Sequence, residues 1–169
     1  ALADVAIVAF DKTGTLTRGS FEVVAIHPEQ IGANELLGLA ALVESYSDHP
    51  ISRSLREAWG KEIDHARVSR VEEIPGQGVR ATIDGKQVAA GNIRLMEGVN
   101  ANGAHECRLP GTSVHIAVDG VYQGHIVIAD AAKPDAAQAI RELKSLGIRK
   151  TVMLTGDARK VGESVAREL

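Results

Sequence analysis

The apolar run VAIVAF (5–10) ends abruptly on Asp11 and Gly14, the pattern of a strand buried in a parallel sheet. Toward the other end, KPDAAQAIRELKSLG (133–147) reads as a helix. Pro134 sits in its first turn, Ala136, Ile140 and Leu143 form an apolar stripe, and Gly147 supplies the stop. TVML (151–154) is a second short buried strand that opens into TGDA, and a last helix is striped by Val161, Val165 and Leu169. Strand, loop, helix, repeated at the two ends of the chain, is α/β grammar. It puts both polar loops at the carboxyl ends of strands, the edge where open α/β sheets bind ligands.

The middle of the chain has a different period. NELLGLAALVESYS and HPISRSLREAWG read as two helices. After them, ATIDGKQVAA and HIAVDGVYQGHIVI read as hairpins turning at Asp84–Gly85 and Asp119–Gly120. Two helices followed by antiparallel hairpins predict an α+β domain. The expected organisation is an α/β domain made of 1–17 and 129–169, with 18–128 inserted as a second domain of antiparallel sheet plus helices.

Composition narrows the partners. The 169 residues are 44% hydrophobic but only 3% aromatic, so the cores must be aliphatic. A net charge of −3 provides no basic face for nucleic acid. Cys107 is the only cysteine, which excludes an internal disulfide and a multi-cysteine metal site and makes a reducing cytosolic setting the default. No apolar run approaches the ~20 residues of a membrane helix. The absence of an initiator Met, and a terminus at Leu169 inside a helical pattern, lead us to expect a soluble segment of a longer protein.

The chemistry concentrates in AFDKTGTLTRG (9–19). Gly14 lets backbone approach a ligand, and Thr13, Thr15 and Thr17 offer hydroxyls and amides to phosphate oxygens. An aspartate so placed can attack phosphorus and carry the phosphoryl group as an intermediate, a reaction that needs Mg²⁺ and surrounding donors. DKTGTLT resembles the signature of P-type ATPases, ion pumps of the haloacid dehalogenase superfamily. The resemblance implies a partial Rossmann-like phosphorylation domain (1–17 and 129–169) carrying an inserted α+β nucleotide-binding domain. It makes Asp11 the phosphorylated nucleophile within a catalytic group of Asp11, Lys12 and Thr13, with Mg²⁺ held by Asp11 and the Thr13 carbonyl. Soluble phosphatases of the superfamily usually carry a second Asp where this chain has Thr13. Threonine cannot act as an acid near neutral pH, so the phosphoenzyme should persist, as a pump requires.

MLTGDARKVGESVAREL resembles the second phosphate loop of the family. Thr155 would bond the phosphoryl group, and Gly156 and Asp157 would shape the loop; Ala158 stands where the family commonly has Asn. DAAKPDA (130–136) resembles the return hinge, with Asp130 and Lys133 its matching residues. In the insertion, ESYSDHPIS, PGQGV and AAGN resemble the heavy-metal-transporting class. The resemblance assigns the ATP pocket to Glu44, His49, Gly76, Gly78 and Gly91. Imidazole can stack on or bond to a purine, Glu can accept from its exocyclic amine, and the glycines leave room for the nucleotide.

HEC (105–107) reads as an exposed loop, Trp59 as packing, and His27, His65, His115 and His125 show no ligand spacing. The GDGxND loop that completes the family's Mg²⁺ site is absent from the sequence, so this segment is expected to bind ATP with little or no turnover. It would be a cytoplasmic part of an integral membrane protein, partnered by the membrane and actuator domains of its parent. The transported metal would be bound there and not by this segment. A soluble phosphatase of the same superfamily and a non-catalytic nucleotide-binding module are the alternatives; the sequence leaves the oligomeric state and the metal open.

Overall fold

Strand β1 (Ile7–Asp11) forms from the apolar run and pairs in parallel with β8 (Lys150–Leu154), in a register that sets Asp11 opposite Leu154. This computed structural model describes residues 5–156 and 159–169. By their contacts the residues fall into two units, Ala1–Ser20 with Asp130–Leu169, and Phe21–Ala129. The chain passes from one to the other within β2 (Thr17–Pro28) and β7 (Val121–Ala132).

In the first unit, α4 (Ala136–Ser145) and α5 (Arg159–Glu168) accompany the parallel pair. Helix α4 begins after Asp135, so Pro134 lies in the preceding turn and not in the helix as its sequence suggests. Gly147 takes a φ of +104° just past the end of α4, where only glycine is unstrained. Leu16, Ala136 and Ile140 make a small core with Phe10, Met153 and Leu169. The expectation of fully buried strands is corrected here. Among the described residues only the face bearing Phe10 and Met153 is covered, and Ile7 and Leu154 remain 58% and 57% exposed.

The larger unit is built on a six-stranded sheet in the order β2-β7-β6-β5-β4-β3. Its other strands are β3 (Val68–Ile74), β4 (Gly78–Ile83), β5 (Lys86–Gly91) and β6 (Thr112–Val118). The pairs from β3 through β7 are all antiparallel. Both expected hairpins form, and both turns place two successive residues at positive φ: Asp84 and Gly85, then Asp119 and Gly120. That is the twist-matched two-residue turn for which Asp-Gly is suited. Strands β2 and β3 and the short helix α3 (Ile93–Gly98) were not anticipated, because none carries a long periodic stretch.

One face of the sheet packs on α1 (Ala33–Val43) and α2 (Pro50–Trp59), through Leu36, Val43, Leu55, Val79, Ile116, Ile126 and Ile128 among others. Each such side chain taken from water contributes roughly 1.5–3 kcal/mol. The Trp59 ring lies so close to Gly38 that a Cβ there would stand 2.9 Å from it, so Trp59 is packing, as expected. The opposite face carries Ala89, Ala117 and Tyr122 against Leu95, Met96 and Ala101. No helix among the described residues is long and apolar enough to cross a membrane.

Candidate functional site

In the first unit, β1 delivers Asp11 to the exposed carboxyl end of the parallel pair. The chain then leaves the strand through a wide turn in which the Thr17 amide bonds back to the Lys12 carbonyl. Thr13 (φ −73°, ψ 122°) and Gly14 (φ +76°) interrupt any helical path. A Cβ on Gly14 would meet nothing within 4 Å. Its glycine is therefore demanded by the backbone angle, and the space before it is open. The alignment of Asp11 with Leu154 sets Thr155, the next residue along, at the same edge. Thr155 and Gly156 are exposed there, and Asp157 lies outside the described residues.

Asp130 holds this turn. Its Oδ2 accepts from Thr17 Oγ1 at 2.6 Å and lies 3.4 Å from Lys12 Nζ, and its Oδ1 accepts from the Gly19 amide at 2.9 Å. Thr17 is wholly buried, and its hydroxyl also lies 3.0 Å from the Lys12 carbonyl. Having one proton, it donates foremost to the carboxylate. One expectation changes as a result: Thr17 faces Asp130 and not a phosphate oxygen. Lys12, grouped with the catalytic residues, is buried beside the same carboxylate. Lys133 ties the turn from the other side: its Nζ donates to the Gly14 carbonyl at 2.9 Å and its amide to the Leu16 carbonyl at 2.9 Å. Asp11 and Thr13 remain exposed. A carboxylate and a peptide carbonyl are hard oxygen donors of the kind Mg²⁺ takes, so the residues present fit that ion.

In the larger unit, a cavity of about 300 Å³ is lined by Glu44, His49, Gly76, Gly78 and Gly91, the five residues singled out from the sequence, with Ser52, Glu73 and Asn92 among the others. His49 caps α2: its Nδ1 accepts from the Ile51 amide at 3.2 Å. That bond leaves the proton of a neutral ring on Nε2, where it can be donated onward. Glu44 is only 7% exposed and accepts from Ser52 Oγ at 2.6 Å. Burial pushes its carboxyl above the usual glutamate range; the Ser52 bond pulls it back, and the negative charge of Glu73 raises it again.

The three glycines divide. Gly76 has φ +70° and open space where a Cβ would stand, which suits a residue that leaves room for a ligand. Gly78 and Gly91 face one another across β4 and β5. A Cβ on Gly78 would strike the Ala90 carbonyl and Gly91, and one on Gly91 would strike the Gln77 carbonyl. Their side chains are excluded by the protein's own backbone. Sequence reasoning passed over Ser52 and Asn92. Asn92 caps α3 through Leu95 and donates from Nδ2 to the Gly76 carbonyl at 2.9 Å. An Asn between a glycine and an apolar helix is a readable cap signal.

A family model described as haloacid dehalogenase-like hydrolase matches residues 5–169. A zinc-transporting ATPase of Synechocystis is 49% identical over 170 residues, covering 99% of this chain and 23% of that protein. The chain thus spans less than a quarter of that relative's length. A crystal structure of a zinc-transporting PIB-type ATPase in the E2.Pi state superposes with TM-score 0.78 at 32% identity, over 99% of this chain and 28% of that one. The catalytic domain of the CPx-ATPase CopB-B, studied on nucleotide binding, gives TM-score 0.65 at 27% identity over 98% of this chain and 60% of that one. The chain belongs to the haloacid dehalogenase-like hydrolases, and within them it corresponds to the catalytic region of heavy-metal-transporting P-type ATPases.

Proposed function

We propose that this chain is the ATP-binding and phosphorylation segment, on the cytoplasmic side, of a pump that exports heavy-metal cations. In that pump the γ-phosphoryl of ATP passes to Asp11. The observation that carries the reading is the parallel pairing that sets Asp11 and Thr155 at one strand edge. A carboxylate oxygen of Asp11 forms the bond to phosphorus, the bond from the γ-phosphorus to its bridging oxygen breaks, and ADP leaves with that electron pair. Thr155 steadies the phosphoryl oxygens, while Asp130, Lys12 and Lys133 hold the turn that presents Asp11. Asp11 and the Thr13 carbonyl would hold Mg²⁺, which when bound neutralises phosphoryl charge.

The cavity of the larger unit receives the nucleotide. His49 offers a donor to the purine, Glu44 accepts from its exocyclic amine, and Gly76 leaves the space. Thr13 supplies no acid to hydrolyse the intermediate, which favours a pump over a phosphatase. The test is Asp11→Asn in the full-length protein. Phosphoenzyme formed from labelled ATP should fall to background, and label retained at wild-type level overturns the reading. Rapid hydrolysis of a generic phosphomonoester by the wild-type chain would favour the phosphatase alternative instead.

A further inference from the structure

The sheet face opposite α1 and α2 gathers four of the histidines, although their sequence spacing suggests no common site. Neighbouring residues on a strand point to opposite faces. On β6, Val114 enters the core beneath the helices, so His115 turns away; on β7, Ile126 does so, and His125 turns away. His115 and His125 are directly paired across the two strands. β2 lies beside β7 in the sheet and brings the His27 ring to 4.8 Å from that of His125. The segment before β6 brings in His105, 5.4 Å from His125 between ring centres, and the free, partly buried Cys107.

Within this group one buried nitrogen has no partner among the described residues. His125 is 3% exposed, and its Nε2 is buried without a hydrogen bond. Leaving such an atom unsatisfied costs about 1–3 kcal/mol. Its other nitrogen is engaged: Tyr122 Oη lies 3.2 Å from His125 Nδ1 and 2.8 Å from His115 Nδ1. Two proton orders satisfy all three groups, and one of them frees His125 Nε2 as an acceptor. In that one, His125 Nδ1–H donates to the phenol, and the phenol donates to His115 Nδ1. That order leaves a lone pair on His125 Nε2, and an oriented imidazole of this kind is how proteins prepare a metal ligand.

The unpartnered atom has the right company. The ligand atoms of His27, Cys107 and His125 all lie within 4.8 Å of one another. Bonds of ~2.0–2.3 Å from a tetrahedral ion to nitrogen and sulfur require ligand separations of roughly 3.3–3.8 Å. Closing that difference asks for a small shift of His27 and Cys107, both at least partly exposed. His105 Nδ1 lies 3.0 Å from the Gly103 carbonyl, and its ring packs edge-on against that of His125.

We propose that His27, Cys107 and His125 form a binding site for a borderline-soft divalent cation such as Zn²⁺, separate from the nucleotide cavity. Imidazole and thiolate together select this class over Mg²⁺ or Ca²⁺. The segment expected to hold no transported metal thus carries ligands of the kind such metals use. The inference does not depend on the assignment of Asp11 or of the ATP cavity.

The test is Zn²⁺ titration of this chain by calorimetry at neutral pH, with ATP binding measured in parallel. The wild type should take up one equivalent. The exposed-side variants Cys107→Ser and His27→Asn should each bind about 100-fold more weakly, while His65→Asn should match the wild type. With Co²⁺ in place of Zn²⁺, the thiolate-to-metal absorption should appear in the wild type and vanish in Cys107→Ser. These variants avoid the buried His125, and unchanged ATP affinity would certify their fold. Absence of Zn²⁺ uptake by the wild type overturns the proposal, as does equal uptake by the wild type and a double variant carrying both Cys107→Ser and His27→Asn.

Discussion

Asp130 in the small unit and Glu44 in the large one are both carboxylates withdrawn from water, and they are provisioned differently. Asp130 receives a hydroxyl, a backbone amide and a lysine. Glu44 receives one hydroxyl, from Ser52, and lines a cavity beside His49 and Glu73. A carboxylate supplied on both oxygens is a tie, and its neighbours are immobilised by it. One that is undersupplied at a cavity wall keeps acceptor capacity for something that enters. The glycines repeat the contrast within one site, since Gly78 is required by the sheet and Gly76 by the space in front of it.

Removing the better-supplied group should do the most harm. Asp130→Ala removes the carboxylate that Lys12, Thr17 and Gly19 share, and breaking a buried ion pair in this way typically costs about 3–5 kcal/mol. Urea unfolding followed by amide exchange over residues 7–19 would read it, and a wild-type exchange pattern there would refute Asp130 as the tie. Next comes Gly78→Ala, whose Cβ meets backbone that cannot yield at φ +142°. Strain and overpacking together should cost about 2–4 kcal/mol, seen as a lower urea midpoint. Gly76→Ala should cost only about 1 kcal/mol of stability and act on ATP affinity instead, by calorimetry. If both alanines act alike on stability, the division between the glycines fails.

The smallest effect concerns Glu44. Its carboxyl is raised by burial, so the folded chain holds that proton more tightly than the unfolded chain does. The group therefore stabilises only while protonated and costs stability once pH rises through the folded value. Glu44→Gln should melt at a higher temperature than the wild type near about pH 8. The gap should close as pH falls toward the ordinary glutamate value of 4.5. A gap independent of pH would mean that Glu44 is not the desolvated acid described here.

The features that could be read from the sequence are those whose cause lies within a few residues. Asp11 ends its strand and is followed by Gly14 at positive φ. His49 caps the helix that Pro50 begins, and Asp-Gly turns two hairpins, because each needs only a local backbone conformation. The five cavity residues were found by resemblance to known motifs, and local rules alone do not join Glu44 to Gly91.

What no local rule could supply was decided by partners far apart in the chain. Lys12 meets Asp130 across 118 positions, so that pairing depends on how the two ends of the chain return to each other. Gly78 and Gly91 exclude side chains only because β4 and β5 are in register. His27, Cys107 and His125 converge because β2 lies beside β7 and the segment before β6 folds over that face. The central strands β4 to β7 bury their aliphatic faces together against the helices. A local motif could therefore identify the phosphoryl chemistry, and global packing alone could assemble the histidine and cysteine cluster.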